Sequence, residues 1–363
     1  MDKDGWIARE QILGDEARSK VPAEFQTQYT YVGNPPTLII AVAALLERGQ
    51  KIDSQLANKD TKQFEIDTYE YKQQQELKSI YSRVAALYPK LVKNYEWFLN
   101  TQQGAHDQYD RKYDNKFVFR WRGRTETHLF GSGMDDYPRA VPAHPGELHL
   151  DLISWMTYYA KLLNKIATTM NIKKDIARFK KDFDFGIQNL ENLFYDDDAK
   201  SYCDLTINID GKTEHVCHEG YLTLYPLLLG LIPKDSVHLK PVLKFLKSSK
   251  VWTDYGIRSL SVQDAFSHKG ENYWRGPIWI QMNYLICGSL YKNYLDSKEK
   301  VLATEIYDSL RYNVVTNVFS QFNKTGFFWE QYSDEDGHGQ RAKPFTGWSA
   351  LVSLLLFESY DGV

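Results

Sequence analysis

Three cysteines in 363 residues, Cys203, Cys217 and Cys287, are too few for a disulfide framework, and the odd count leaves at least one thiol unpaired within the chain. No run approaches the roughly 20 apolar residues that span a bilayer, and the opening MDKDGWIARE is too polar for a signal peptide. Neither sign of charge dominates: 44 Lys and Arg against 47 Asp and Glu leave a formal net charge of -3, without the positive field that nucleic acid or an anionic lipid surface requires. Nucleic-acid partners are therefore excluded. There is no phosphate-cradling or dinucleotide glycine pattern in a strand–turn–helix setting and no GxSxG elbow. No Pro/Ser/Gly linker, short repeat or low-complexity tract divides the chain, so residues 1–363 are expected to form a single domain.

Aromatic residues are abundant: 25 Tyr, 18 Phe and 9 Trp, 14% of the chain. Most large rings are core, because they dominate buried area. Several Trp and Tyr here stand beside carboxylates, however, and that pairing also suits a sugar site, where a ring face packs on the C–H face of a pyranose.

Apolar residues recur at helical spacing over most of the length. TLIIAVAALLERG predicts a helix closed by Gly49, and residues 63–104 predict two helices separated at Pro89. LHLDLISWMTYYAKLLNKIATTM and KKDIARFKKDFDFGIQNLENLFYD predict an antiparallel pair joined near Asn171. Further helices are expected near 220–231, 236–248, 276–293, 298–321 and 346–358, about nine or ten in all. SYCDLTINIDGKTEHVC is the one expected β-hairpin, alternating around Asp210-Gly211. Helical hairpins joined by long loops predict an all-α toroid, an α/α barrel. Residues 104–147 and 249–275 are loops too long and too aromatic to be idle or disordered.

The first of these loops carries GSGMDDYPRAVPAHPGELHLD, with Asp135 and Asp136 between flexible glycines and Pro138. A solvated loop tolerates two adjacent acids. Enclosed among aromatics, one of them would keep its proton near neutral pH, because burial disfavours the carboxylate. Glycoside hydrolysis needs such an acid and a second carboxylate, roughly 6.5–9.5 Å away if water attacks with inversion and about 5–5.5 Å if the carboxylate attacks. Glu330, between Trp329 and Tyr332, is the candidate partner. Cys203 with HVCH lacks the paired spacing of a zinc site, and SDEDGHG lacks the first ligand and the correctly placed Glu of a calcium loop. The residues point to carboxylate chemistry with neither metal nor cofactor.

GWIAREQILGDEA, NPPTL, RWRGR, SGMDDYPRA, ELHLDL, HEGYLTLYP, RSLS, ENYWRGPIWIQMNYL, WEQY and PFTGWSALV, in that order along nearly the whole chain, resemble the catalytic domain of the eukaryotic processing α-glucosidase I family, glycoside hydrolase family 63. The resemblance implies an (α/α)6 barrel that removes the terminal α-1,2-linked glucose from the triglucosylated N-glycan precursor, with inversion and without metal. It implies that Asp135 is the general acid and Glu330 the general base, and that Glu147 and Asp151 are needed for activity. These last two also share one face at the start of a helix, where the dipole favours carboxylates, so that capping is an equal reading. Asp136 is expected to orient Asp135 or to bond backbone. Arg122, Arg139 and Arg275 are candidate donors to sugar hydroxyls or carboxylates. His218, Tyr221, Trp274, Trp279 and Trp348 are candidate walls of the glucose subsite, although Trp279 equally fits the barrel core.

The family's barrel has twelve helices. Against that pattern the chain lacks a WDEGFH-like segment before GWI, the amino-terminal β-sandwich and the membrane anchor, so it is expected to be a carboxy-terminal portion with an incomplete toroid. Two further readings therefore stand beside the glucosidase: an inactive glycan-binding or scaffold product, and another inverting glycosidase on the same barrel, trehalase-like. The family works in the endoplasmic reticulum lumen, which agrees with the sequon at Asn323 and would permit a Cys203–Cys217 bridge between near-diagonal hairpin neighbours.

Overall fold

Most of the stretches with helical spacing become helices of the computed structural model, which describes residues 1–21, 23–57, 68–109, 111 and 115–363. Helices α1 (Gly14–Lys20), α2 (Ala23–Gln26), α3 (Leu38–Ala57), α4 (Tyr69–Thr101), α5 (Leu150–Thr169) and α6 (Lys173–Asn192) precede α7 (Tyr225–Leu228), α8 (Leu239–Leu246), α9 (Ile280–Ser289), α10 (Lys300–Thr325) and α11 (Val352–Leu356). The fold is helix-rich, as expected. Among the described residues no helix is long and apolar enough to cross a membrane.

The expected pair joined near Asn171 is α5 and α6. Asn171 takes a left-handed φ of 55°, the conformation that ends helices at a short connection. The two helices cross closely at Gly186, where an added Cβ would lie 2.1 Å from Thr157 Oγ1.

Two helix boundaries differ from expectation, each because packing overrides a local breaker. Gly49 does not close its helix. It lies inside α3, where a Cβ would stand 3.0 Å from Ile80 and 3.1 Å from Tyr81 of α4, so the glycine serves close helix approach. Pro89 does not divide α4, which runs unbroken to Thr101. A proline inside a helix costs about 3 kcal/mol. Ile80, Val84 and Tyr88 before it and Tyr95 and Phe98 after it are buried along the continuous helix, and this burial offsets the loss. The predicted start of that helix, residues 63–67, lies outside the described residues.

Other expected helices are shorter. The 220–231 segment is a 3-10 turn, Leu222–Leu224, leading into α7 with Pro226 in its first turn, the position where a missing amide does least harm. The 276–293 segment is α9 followed by a wider π turn over Leu290–Tyr294, and the 346–358 segment is a 3-10 turn, Trp348–Leu351, before α11.

Strand is more frequent than the single expected hairpin. Among the described residues four two-stranded antiparallel ribbons form: β1 (Tyr195–Asp196) with β2 (Ser201–Tyr202), β3 (Asp204–Ile207) with β4 (Thr213–Val216), β5 (Trp252–Thr253) with β6 (Gly256–Ile257), and β7 (Gln331–Tyr332) with β8 (Gly339–Gln340). The predicted hairpin is β3–β4. Asp204 faces Val216, which sets Cys203 directly opposite Cys217 one step further out, and the two form a disulfide with Cα atoms 4.7 Å apart. Its loop spans residues 208–212 with Gly211 at φ 77°, longer than a two-residue turn.

Single backbone bridges anchor the long loops. Ile278 pairs with Arg258 on one side and Tyr332 on the other, and Leu148 pairs with Leu205. These bridges carry ENYWRGPIW to the side of WEQY, and they position the site described next. Residues 110 and 112–114 of the first loop lie outside the described residues.

Candidate active site

The segment Leu129–Arg139 turns twice. A 3-10 turn, Phe130–Ser132, ends at Gly133 with φ 77°; the Leu129 amide then donates to the Asp135 carbonyl at 2.9 Å and the Tyr137 amide to the Met134 carbonyl at 3.1 Å. Met134, Asp136 and Tyr137 point into the protein and are buried, whereas Asp135 is half-buried. Among the described residues nothing donates a hydrogen bond to the Asp135 carboxyl. Burial pushes that carboxyl up to about 6; Arg9 and His128 oppose the rise, and Asp136 and Glu271 add to it. A carboxylic acid poised there holds a transferable proton near neutral pH.

Asp136 bonds backbone, one of its two expected roles. Its carboxylate accepts the amides of Trp274 at 2.7 Å and Tyr273 at 3.1 Å, and its own carbonyl accepts Arg275 Nε at 2.7 Å. Arg275 therefore fastens one loop to the other, and its Nε also lies 3.4 Å from the Asp136 carboxylate, one of the two kinds of partner expected of it.

Glu330 sits immediately before β7. Its amide and carbonyl are fixed by Ala342 and Trp348, with Trp348 Nε1 donating to the carbonyl at 2.7 Å. One carboxylate oxygen accepts the Ala342 amide at 3.2 Å, and the other accepts the hydroxyl of Tyr273. Tyr273 is the residue that sequence reasoning passed over. Burial, then the hydrogen bond to Glu330, raise its phenol well above the ordinary value, and both Glu330 and Asp135 bear on it electrostatically. The two candidate carboxylates thus converge on one ring. Its place beside Trp274 in ENYWRGPIW was the available signal, but nothing in the sequence singles out one ring among 25 tyrosines.

Trp274 and Trp279 stack face to face, 3.8 Å between centroids, and Trp348 lies 5.5 Å from Trp279. Trp348 is half-buried, while the other two are buried. Tyr221 is fully buried behind them, its hydroxyl donating to the Ile257 carbonyl and accepting from the Trp279 amide. It supports the wall from behind. His218 pairs with Asp264 at 2.8 Å.

Four other expected site residues, Arg139, Asp151, Glu147 and Arg122, are committed to protein partners. Arg139 is buried and donates to Asp151 at 2.8 Å, Asp204 at 2.7 Å and Ser132 at 3.0 Å. Burial alone would push the guanidinium down, but Asp151 and Asp204 more than reverse it, and burial is likewise outweighed by Arg139 in keeping Asp151 ionised. Asp204, missed by sequence reasoning, also accepts the Leu150 amide at 2.8 Å and so caps the first turn of α5. A lone acid at an inward position of the predicted hairpin was its trace. Glu147 pairs with Arg124 and His149. Because His149 Nδ1 accepts the Trp121 amide at 3.0 Å, its ring proton lies on Nε2, facing Glu147. Burial opposes ionisation of Glu147, but His149, Arg124 and the His144 amide bring its carboxyl down to about 2. Arg122 donates to the carbonyls of Thr101 and Gln103 at the end of α4 and is a backbone clamp as well.

Hollows flank the segment. One of about 470 Å³ is lined by Trp6, Arg9, Tyr29, Tyr31, Phe130 and Gly131; another of about 260 Å³ is bordered by Arg124, His128, Tyr137, Phe266 and Arg275. Rings with scattered amides and guanidinium groups match the chemistry of a sugar surface.

Comparison with known proteins agrees with this chemistry. The model of the glycosyl hydrolase family 63 C-terminal domain matches residues 1–358. A probable mannosyl-oligosaccharide glucosidase of Schizosaccharomyces pombe is 44% identical over 99% of this chain and 46% of its own length, and mannosyl-oligosaccharide glucosidase of Saccharomyces cerevisiae is 39% identical over 98% and 45%. The chain spans about half the length of the curated relatives it matches. Among solved structures, a family 63 mannosylglycerate hydrolase from Thermus thermophilus in complex with glucose superposes with a TM-score of 0.61 at 16% identity, covering 98% of this chain and 84% of that one, a likeness of fold.

Two outcomes test the geometry. A buried acid whose value is raised by folding is a group whose contribution is intact below its unfolded value and is lost as pH rises through the folded one. Asp135→Asn is therefore expected to lie close to the parent chain in urea unfolding near pH 4 and to exceed it at pH 7, by about 3 kcal/mol. Arg139→Met leaves Asp151 and Asp204 buried without their cation and should cost about 3–5 kcal/mol in the same assay, much of it recovered when both acids become Asn.

Proposed function

The chain belongs to glycosyl hydrolase family 63, and we propose that it is the catalytic domain of an inverting exo-α-glucosidase that removes the terminal α-1,2-linked glucose from the triglucosylated N-glycan precursor. The observation that supports this reading is that a protonatable Asp135 and Glu330 both act on Tyr273, Glu330 through a hydrogen bond and Asp135 electrostatically. Asp135 gives its proton to the glycosidic oxygen as the bond to the anomeric carbon breaks. Glu330 takes a proton from the water whose oxygen forms the new bond on the opposite face. Both transfers are made by carboxyl groups, so the reaction calls for no cofactor. Trp348, the stacked Trp274 and Trp279, and His218 border the glucose subsite in this reading, and the hollow beside Arg9 receives the departing oligosaccharide. We read residues 1–363 as one domain on the (α/α)6 toroid plan, supported by the consecutive helical pairs α3–α4 and α5–α6 and by the likeness to the Thermus fold.

The endoplasmic reticulum lumen is the compartment we assign. The Cys203–Cys217 bridge belongs in an oxidising environment, and Asn323 is exposed near the end of α10.

Asp135→Asn and Glu330→Gln should each lower turnover of a triglucosylated oligosaccharide by about 10²–10⁴-fold with melting unchanged or raised. Proton NMR should show β-glucose as the first product; α-glucose first, or near-parental rates in either variant, would defeat the assignment. Peptide mapping of chain passed through a eukaryotic secretory pathway is expected to show Cys203 linked to Cys217, Cys287 free, and a glycan on Asn323. Two free thiols would remove the lumenal assignment.

A further inference from the structure

Tyr273 stands where the two carboxylate-bearing segments cross. Its backbone amide is held by Asp136, next to Asp135, at 3.1 Å, and its carbonyl accepts Trp279 Nε1 at 3.1 Å. The ring meets Trp279 edge-on, 4.8 Å between centroids, and the Arg341 guanidinium covers it at 5.3 Å while donating to the Glu271 carbonyl at 2.7 Å. Backbone, edge and face are all restrained, so the hydroxyl has one direction to point, toward Glu330 Oε1.

We propose that Tyr273 is a positioning residue for the hydrolysis: its phenol ties down Glu330 Oε1, so that Oε2, which accepts the Ala342 amide at 3.2 Å and keeps a second lone pair, is the oxygen that takes the proton of the attacking water, and it fixes the distance of base from acid through Asp136. The inference rests on the reading of Glu330 as general base. In the reaction the water oxygen bonds to the anomeric carbon and its proton passes to Glu330 Oε2. The electron pair of the broken bond leaves with the glycosidic oxygen, which receives the Asp135 proton. Throughout, the Tyr273 proton stays on the phenol, where burial and the neighbouring carboxylates keep it. A side chain that never exchanges its proton acts by geometry and by a hydrogen bond that favours the charged base.

Asp135 and Arg341 act electrostatically on Tyr273, Arg341 also donates to the Glu271 carbonyl, and Lys343 lies over the Trp329 ring beside Glu330; among the described residues, Tyr273 is the side chain that bonds the Glu330 carboxylate. Removing that donor should make the carboxylate easier to protonate.

The test is read first on the carboxyl itself, in the 363-residue chain carrying ¹³C-labelled glutamate, with the Glu330 resonance identified by its loss in Glu330→Gln. In Tyr273→Phe the titration midpoint of that resonance should move to higher pH; an unmoved midpoint overturns the proposal. Hydrolysis supplies the second readout. Tyr273→Phe should lower kcat about 10- to 100-fold, the penalty of a misplaced group, with KM changed less than about threefold and the acidic limb of kcat/KM moved to higher pH. A raised KM with kcat preserved would make Tyr273 a sugar ligand and overturn the positioning role. Should the Phe variant not melt cooperatively, 3-fluorotyrosine at position 273 keeps the ring and strengthens the donor, so the midpoint should move to lower pH, and a stationary one sinks the proposal. The underlying reading fails separately: an active Glu330→Gln removes the base, whereas an inactive one beside an unaltered Tyr273→Phe removes the positioning role alone.

Discussion

A guanidinium without water underlies the site. Arg139 lies buried between Asp151 of α5, Asp204 of β3 and Ser132 of the acid loop, and each of these partners belongs to a different piece of the chain. Taking three charges out of water is tolerable because the planar fork satisfies both acids at once, and removing the arginine leaves two buried carboxylates unmatched. The arrangement determines where the acid loop stands: Ser132 opens the turn that presents Asp135, and Asp204 also caps the helix that carries Asp151. The disulfide clamps the ribbon one residue from Asp204, at the far edge of this same cluster.

Above that base, the site is assembled by hydrogen bonds between loops. Asp136 takes two consecutive amides of the Tyr273–Trp274 segment, and Ile278 pairs with Tyr332 on the strand that follows Glu330. The segments that carry Asp135 and Glu330 are thus linked through a third segment, which also holds the stacked tryptophans. Loops held in this way can place functional groups as firmly as regular elements do, because their amides have specific partners and little freedom to rearrange.

Much of this was legible beforehand. The helical stripes of α5, α6 and α10 show as 3.6-residue periodicity, and the β3–β4 ribbon as alternation ending in two opposed cysteines. Asp135 and Glu330 stood out as acids among aromatic rings. Gly49 and Pro89 were misread because a breaker's local cost is about 1–3 kcal/mol, less than the burial gained by a long helix packed along its length. Arg139 took carboxylate partners, the other of its two expected roles, whereas Arg122 and Tyr221 looked like substrate contacts because an arginine or tyrosine near a site is chemically suited to one. Whether its donors are open or already occupied is a matter of depth, which residue type does not encode.

By itself the sequence determined the helical class and marked Asp135 and Glu330 as acids set among aromatic rings, since periodicity and residue chemistry are local properties. The tertiary structure alone decided which polar groups face a substrate and which hold the frame. It made Arg139, Glu147 and Asp151 a buried support, and it joined Tyr273 to Glu330. Such pairings link positions far apart in the chain, and their energy depends on distance and dielectric, quantities that exist only once the chain has folded.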